Sequence, residues 1–433
     1  MSRTAAQIDA APGTGENGKA QRYIQLILLV LAAGAIYPVL YLRQVYQSTM
    51  LEVFAISNTE LGYLYSMLGT LFLVSYLPSG WLADRLPPRL LISFSLVATG
   101  LLALWYSTAP GFDSLLVIYA GWGISTGLTF WASVLKRVKM IARTDEQGRF
   151  FGILDGGRGL VEALLATVAI ALFAYATETR GQSTQVGFTH VIYLYACTCI
   201  LLGVLMLGVK DPKGAGRDPA ERQANNLLQD LRTLARIPEL WLVAAIVFCG
   251  YHIFWATYSF SAYLQEGGFG LSAVMAGTIT TIKLWMRPIG GIGGGYLGDR
   301  FSTISVLIAA LALATLGMLG LILLPALHNL AVLVVLVLFI GLLTYAIRGL
   351  YWAILDSCHI PLRITGLAIG IISVVGYSPD VFIPLINGWI ADAFPGFPGY
   401  RIYFGYIAAI GALGVLAAFT LKKRIDRKAG NRP

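Results

Sequence analysis

The sequence predicts an all-α integral membrane protein: twelve transmembrane helices in two pseudo-symmetric six-helix bundles. Three observations carry that reading, namely the composition, the spacing of the apolar runs, and short stretches that recur in the second half. Hydrophobic residues make up 57% of the 433-residue chain and charged residues 12%. Soluble domains carry about 25% charged residues. A soluble core could not hide this much apolar surface, so the bilayer must act as part of the solvent.

A helix needs roughly 20 apolar residues to cross a bilayer. Twelve stretches qualify: 22–42, 59–82, 90–108, 114–140, 149–175, 188–209, 238–264, 272–297, 303–324, 330–356, 363–392 and 401–421. Residues 1–21 are polar and small, lack the apolar run of a signal peptide, and are expected to form a disordered cytoplasmic tail. Residues 22–209 then make one bundle, 210–237 a linker, 238–421 the second bundle and 422–433 a basic tail. The later linker places Leu227, Leu228, Leu231 and Leu234 on one side of an amphipathic surface helix.

An even number of spans puts both termini on one side, and Lys and Arg choose that side. They gather on the tails and the even-to-odd connections, whereas the opposite connections hold Arg43, Arg180 and Arg401. Both termini are therefore expected in the cytoplasm, in a plasma (inner) membrane. The same distribution explains the net charge of +9 without nucleic acid as a partner: the cations face anionic lipid. Cys197, Cys199, Cys249 and Cys358 show no metal-ligand spacing and read as small packing residues.

"GWLADR" (Gly80–Arg85) follows the second span, and "GYLGDR" (Gly295–Arg300) follows the eighth, 215 residues later. "FWASVL" (Phe130–Leu135) and "YWAILD" (Tyr351–Asp356) end the fourth and tenth spans at an offset of 221. Matching stretches at equivalent helix ends indicate a duplicated six-span unit, a plan used by transporters.

On these motifs the chain resembles the major facilitator superfamily. That family's cytoplasmic signature is Gly, three residues, Asp-Arg, one residue, Gly, then two basic residues. Gly80, Asp84, Arg85 and Arg89 match it, while Pro87 replaces the usual Gly and Pro88 a usual base. The second copy keeps Gly295, Asp299 and Arg300. "DEQGRFFGILDGGRG" (Asp145–Gly159) is similar to the family's connection into the fifth helix. The resemblance implies the major facilitator fold, with these seven residues as a cytoplasmic gate that latches the halves while the carrier faces outward. Physically, the Asp can accept backbone hydrogens at a helix start and the Arg can pair with acids across the interface. The resemblance also implies that the first, fourth, seventh and tenth helices line a central cavity. "RITGLAIGIISVVGYSPD" (Arg363–Asp380) is similar to a segment of organic-phosphate and sugar-acid carriers within the superfamily.

An ionisable group near mid-membrane costs about 2.5 kcal/mol or more to insert, and marks function by default. Lys283 and Arg287 lie one turn apart in the eighth span and repel each other, so a bound anion or a facing carboxylate is needed. Asp155, Arg158 and Glu162 form one stripe on the fifth span, either self-neutralised or proton-coupling, with Glu162 the deepest acid. Arg348 lies in the tenth span. Asp380 lies in the eleventh beside a proline break, as a counter-ion for Lys283 or Arg348 or as a proton carrier. Tyr37 and Tyr41 of the first span, and His252 and Trp255 of the seventh, are candidate substrate contacts because the resemblance places those helices on the cavity. Trp131, Tyr351 and Trp352 end the fourth and tenth spans, and the two tryptophans read as interfacial anchors before ligand contacts.

The glycines of "RPIGGIGGGYLG" (Arg287–Gly298) lack the strand and Lys-Ser/Thr ending of a nucleotide loop. Instead Gly290/Gly294 and Gly291/Gly295 permit close helix contact. No cofactor, metal site or catalytic constellation is expected, so the chain does not read as an enzyme. It reads as a secondary active transporter of a small organic solute, working as a monomer by alternating access. The excess of buried cations points to an anion such as a sugar phosphate, sugar acid or carboxylate, moved with a proton or in exchange for another anion. Two alternatives stay open. One is proton-coupled efflux of amphipathic compounds, which needs a greasier cavity and unpaired acids. The other is a non-transporting sensor, which needs a cytoplasmic signalling domain.

Overall fold

The computed structural model describes residues 16–143, 146–209, 227–267, 269–323, 329–355 and 365–430. The helices follow one another as twelve runs. The first comprises Glu16–Ala35 and Arg43–Phe54, joined by turns through Pro38. Proline offers no backbone donor to continue a helix. Gly34 lies just before it, so close to the fifth span that a Cβ would meet Val161 Cβ at 2.5 Å. The second run, Asn58–Arg85, starts at a capping box made by Ser57 and Glu60. It ends one residue short of Pro87, and Pro88 opens the third run, Pro88–Tyr106. The fourth is Phe112–Trp122, a π-helical turn Gly123–Leu128, and Trp131–Ile141. The fifth is Gln147–Ala174 with a π-helical end, and the sixth is Thr184–Leu207.

After the connection come Pro238–Ala256 continued by Phe260–Glu266 (seventh), Ala273–Arg300 (eighth), Thr303–Leu323 (ninth) and Leu330–Ala353 (tenth). The eleventh is broken into Thr365–Gly376 and Pro379–Ala393, and the twelfth is Phe397–Gly430. Among the described residues nine runs are long and apolar enough to cross a bilayer, and the bent second run makes a tenth. The first is divided by its turn, and the eighth carries Lys283, Arg287, Asp299 and Arg300.

The packing repeats at an offset of six runs. Second on fourth, third on sixth and first on fifth are echoed by eighth on tenth, ninth on twelfth and seventh on eleventh. The two sets meet where the second run packs on the eleventh, the fifth on the eighth, and the first on the seventh and eighth. Glycine permits the close approach: a Cβ at Gly62 would fall 2.5 Å from Pro384 O, and one at Gly388 2.3 Å from Asn58 O. Gly290 and Gly294 do the same on the tenth run, against Leu342 O and Ala346. A Cβ at Gly291 or Gly295 would meet nothing within 4 Å, although one at Gly349 of the tenth run would come 3.6 Å from Gly291 O.

Three boundaries differ from expectation. The first helix begins at Glu16 and not after residue 21, and Arg22 anchors it at 2.7 Å to Glu146. The first run also continues past residue 42 to Phe54, which takes Arg43 out of a connection and into a buried position. The twelfth helix runs on to Gly430 through the basic tail. The expected amphipathic helix is present as Leu227–Ala235 with Leu234 buried. Residues 1–15 and 210–226, and Asp356 and Cys358, lie outside the described residues.

Candidate functional site

The two halves are bonded most heavily at the end remote from the termini. Arg43 of the first run donates to Asn387 of the eleventh and, at 3.1 Å, to Gln47, which in turn donates to Asn58. Asp392, near the end of the eleventh run, accepts from the backbone N–H groups of Asn58 and Thr59 at 3.1 and 2.7 Å. It thereby caps the second run with a carboxylate from the other half. Ser48 donates to Glu266, and Ser261 to Val45 O, both across the same boundary. Of these groups the sequence names only Arg43, and that as a charge in a connection. Arg43, Gln44 and Gln47 do form a polar stripe at helical spacing beyond Tyr41, which is the signal that could have found them.

Below this seal lies Lys283, fully buried. Its Nζ donates to Gln44 Oε1 at 2.9 Å and Thr257 Oγ1 at 3.2 Å, and among the described residues it pairs with no carboxylate. Gly341 makes room for its stem, since a Cβ there would fall 2.4 Å from Lys283 Cγ. One turn on, Arg287 is ion-paired with Glu162 of the fifth run, again across the halves. Gly159 lets the guanidinium arm lie against the fifth helix. Both side chains of this pair keep about a fifth of their surface exposed, 20% and 19%.

Further toward the termini, Arg158 pairs with Asp155 of its own helix at 2.8 Å and lies 4.6 Å over the Trp131 ring. The Asp155 side chain is 74% exposed. Arg348 of the tenth run, half-buried, is stacked over Phe254 at 4.2 Å and Tyr251 at 5.8 Å, with no carboxylate partner among the described residues. Arg287 packs against Gly159, the neighbour of Arg158, and lies over Tyr345, whose ring meets Phe254 at 6.2 Å beneath Arg348. Guanidiniums from both halves therefore converge on one aromatic layer.

Aromatic side chains wall this layer. Tyr41 lies against Tyr65, Trp255 and Tyr258, and Tyr37 stands edge-on to Phe130. Tyr258 and Tyr345 face Lys283 and Arg287, at 5.9 Å each. Trp255 donates to Asp380 at 2.6 Å, as does the Tyr251 hydroxyl at 2.8 Å.

Several expectations change here. Glu162 is not neutralised by Arg158; its partner is Arg287. Asp380 makes no ion pair with Lys283 or Arg348 but accepts from two neutral donors. His252 turns away from the central layer: it is fully buried, with Nδ1 on Phe248 O and Nε2 on the Tyr406 hydroxyl of the twelfth run. One helical turn separates it from Trp255 in sequence, but its ring faces the packing side of the seventh run. Tyr37 and Tyr41 share the proline turn and not a continuous helix.

Two of the gate residues bond within their own half. Asp84 pairs at 3.6 Å with Lys136 and Arg85 stacks on Trp81, both within the first half. Gly80 and Gly295 have open space around them, Asp299 and Arg300 are exposed, and Arg89 is half-buried at the start of the third run. Among the described residues no cluster of His, Cys, Asp and Glu could hold a metal ion.

The comparisons agree with this architecture. The chain is 30% identical over 376 residues to the inner membrane protein YqcE of Escherichia coli strain K12, covering 85% of this chain and 87% of that one. It is 28% identical over 381 residues to the inner membrane protein YihN of the same organism, covering 85% and 88%. Among solved structures it is similar to a bacterial homolog of the human lysosomal transporter Spinster, in an inward-facing, unoccupied conformation. There the TM-score is 0.74 at 15% identity, covering 94% of this chain and 98% of that one, a likeness of fold. The family model of the Major Facilitator Superfamily matches residues 23–380. The chain is a multi-pass membrane transporter and belongs to the Major Facilitator Superfamily.

Proposed function

We propose that this transporter carries a small organic anion, of the sugar-acid, sugar-phosphate or carboxylate type, through the layer between its halves. The observation that carries the reading is the contact chain that links Arg287 through Tyr345 and Phe254 to Arg348 and sets Arg287 against Gly159, next to Arg158, of the other half, with no carboxylate on Arg348 among the described residues. A guanidinium held over aromatic faces is pre-organised to take a planar carboxylate or a phosphate in a two-pronged hydrogen bond. The aromatic walls suit the apolar faces of a sugar ring or carbon chain.

The state seen here is closed by the Arg43–Asn387 and Asp392–Asn58 contacts, whereas toward the termini Asp84 and Arg85 bond within their own half. With the termini in the cytoplasm of an inner-membrane protein, as the basic connections and the names of the relatives suggest, it is the inward-facing state. Coupling follows from the Glu162–Arg287 pair. An incoming anion competes with Glu162 for Arg287, and the displaced carboxylate is the group to which we assign a co-transported proton.

The test is uptake into proteoliposomes of radiolabelled D-gluconate, glycerol 3-phosphate and succinate, with their uncharged counterparts as controls. Uptake of at least one anion, enhanced by an inward proton gradient, supports the reading. Uptake confined to uncharged or cationic amphipathic compounds favours the efflux alternative.

A further inference from the structure

Asp380 is a buried carboxylate, 5% exposed, whose side chain among the described residues accepts from neutral donors of one neighbouring helix. Its Oδ1 accepts from Tyr251 and from Trp255, which sit one turn apart on the seventh run. Tyr251 is also the ring beside Arg348, is stacked with Phe254 at 5.6 Å, and meets Tyr377 edge-on at 4.8 Å. Trp255 contacts Tyr41, Tyr65 and Tyr258. A single oxygen atom thus fixes Tyr251, one of the two rings on which Arg348 lies, and Trp255, which reaches the other ring, Phe254, through Tyr258.

The same residue touches the other half. A Cβ at Gly69 of the second run would fall 2.3 Å from Asp380 O and 2.8 Å from Asp380 Cβ, so the second helix bears directly on Asp380. Asp380 also stands at the first turn of Pro379–Ala393, directly after the break in the eleventh run, where its N–H bonds Tyr377 O at 3.0 Å. A break frees the segment to pivot.

We infer that Asp380 is a positioning residue and not a proton carrier: it holds Tyr251 beneath Arg348 and Trp255 in the adjoining aromatic wall, and ties both to the Gly69 contact between the halves. When the halves rock, the second run moves relative to Asp380, and the bed that orients Arg348 moves with it. The effect on transport rests on the anion-site reading above; the hydrogen-bond assignment does not.

The experiment compares Asp380→Asn with Asp380→Ala in the full-length protein. Asparagine keeps the accepting oxygen and cannot exchange a proton, whereas alanine removes both. The ligand-free arm records the indole N–H resonance of Trp255 in protein carrying 15N-tryptophan, assigned with Trp255→Phe. The resonance should stay hydrogen-bonded and protected from exchange in Asp380→Asn, and lose both properties in Asp380→Ala. The transport arm measures D-gluconate, glycerol 3-phosphate and succinate uptake between pH 5.5 and 8. Asp380→Asn should remain within about threefold of the parent with the same pH profile. Asp380→Ala should fall by about tenfold or more, and Tyr251→Phe combined with Trp255→Phe should reproduce that loss.

An unmoved Trp255 resonance in Asp380→Ala overturns the assignment. So does an Asp380→Asn protein that is as inactive as Asp380→Ala or has lost its pH dependence. If no probe is taken up by the parent, the anion reading fails while the resonance still decides the role of Asp380. If Asp380→Ala does not fold, the Asn variant and the double Phe variant decide it.

Discussion

Arg287 of the eighth helix is ion-paired to Glu162 of the fifth, so one salt bridge joins the two halves of the carrier at the level of its central layer. Removing the acid frees the cation for substrate. Glu162→Gln should therefore strengthen anion binding by roughly tenfold, the scale of one charge-assisted hydrogen bond. It should also flatten the pH dependence of uptake. Titration of purified protein with D-gluconate and glycerol 3-phosphate, followed by thermal unfolding, reads the first effect, and proteoliposome uptake across a pH range reads the second. Weaker binding with an intact pH profile would refute the competition.

Lys283 is the reverse case, a buried ammonium bonded only to Gln44 and Thr257 among the described residues. Burying an unpaired cation is unfavourable, and an apolar side chain of similar length relieves that cost. Lys283→Met should leave the substrate-free melting temperature unchanged within about 3 °C, or raise it, while uptake is lost. A melting temperature lowered by about 10 °C would mean that Lys283 serves stability instead.

Asp392 caps the second helix from the opposite half through Asn58 and Thr59. Asp392→Ala removes a charge-assisted cap worth about 1.5–3 kcal/mol, enough to shift a two-state equilibrium by tenfold or more. Spin labels at Glu52→Cys and Arg401→Cys, in a protein with its native cysteines replaced, should then show a new, longer-distance population. An unchanged distance distribution would leave the seal resting on Arg43 and Asn387.

The family gate predicts an effect only in the other state. Asp84 is held by Lys136 here, so Asp84→Asn should not alter the substrate-free conformation. It should slow the return to the outward-facing form, cutting uptake by about tenfold while binding stays intact. Loss of binding along with uptake would contradict this.

The bundles, their duplication and most helix ends were legible because they depend on apolar run length, proline position and caps. Ser57–Glu60 and Pro87-Pro88 mark their boundaries in one dimension. The charged residues of the layer were legible as well, since an ion in an apolar run stands out against its background. Their partners were not. Arg158, Asp155 and Glu162 share one face of one helix, and sequence cannot say that Arg287 reaches across to claim Glu162. His252 and Trp255 differ by a single turn, and only packing decides that one faces Tyr406 and the other Asp380. Arg43 was hidden by the turn at Pro38, which ends one apolar run although the chain stays in the membrane-facing bundle.

The central claim is that the arginine layer binds an anion. The measurement that tests it most directly is equilibrium binding of D-gluconate, glycerol 3-phosphate and succinate to the purified protein and to its Arg348→Gln variant. Saturable binding of at least one anion is expected, weakened by tenfold or more in the variant and weakened as well by raising the salt. Equal affinity in both proteins, or binding of uncharged or cationic compounds alone, would contradict it.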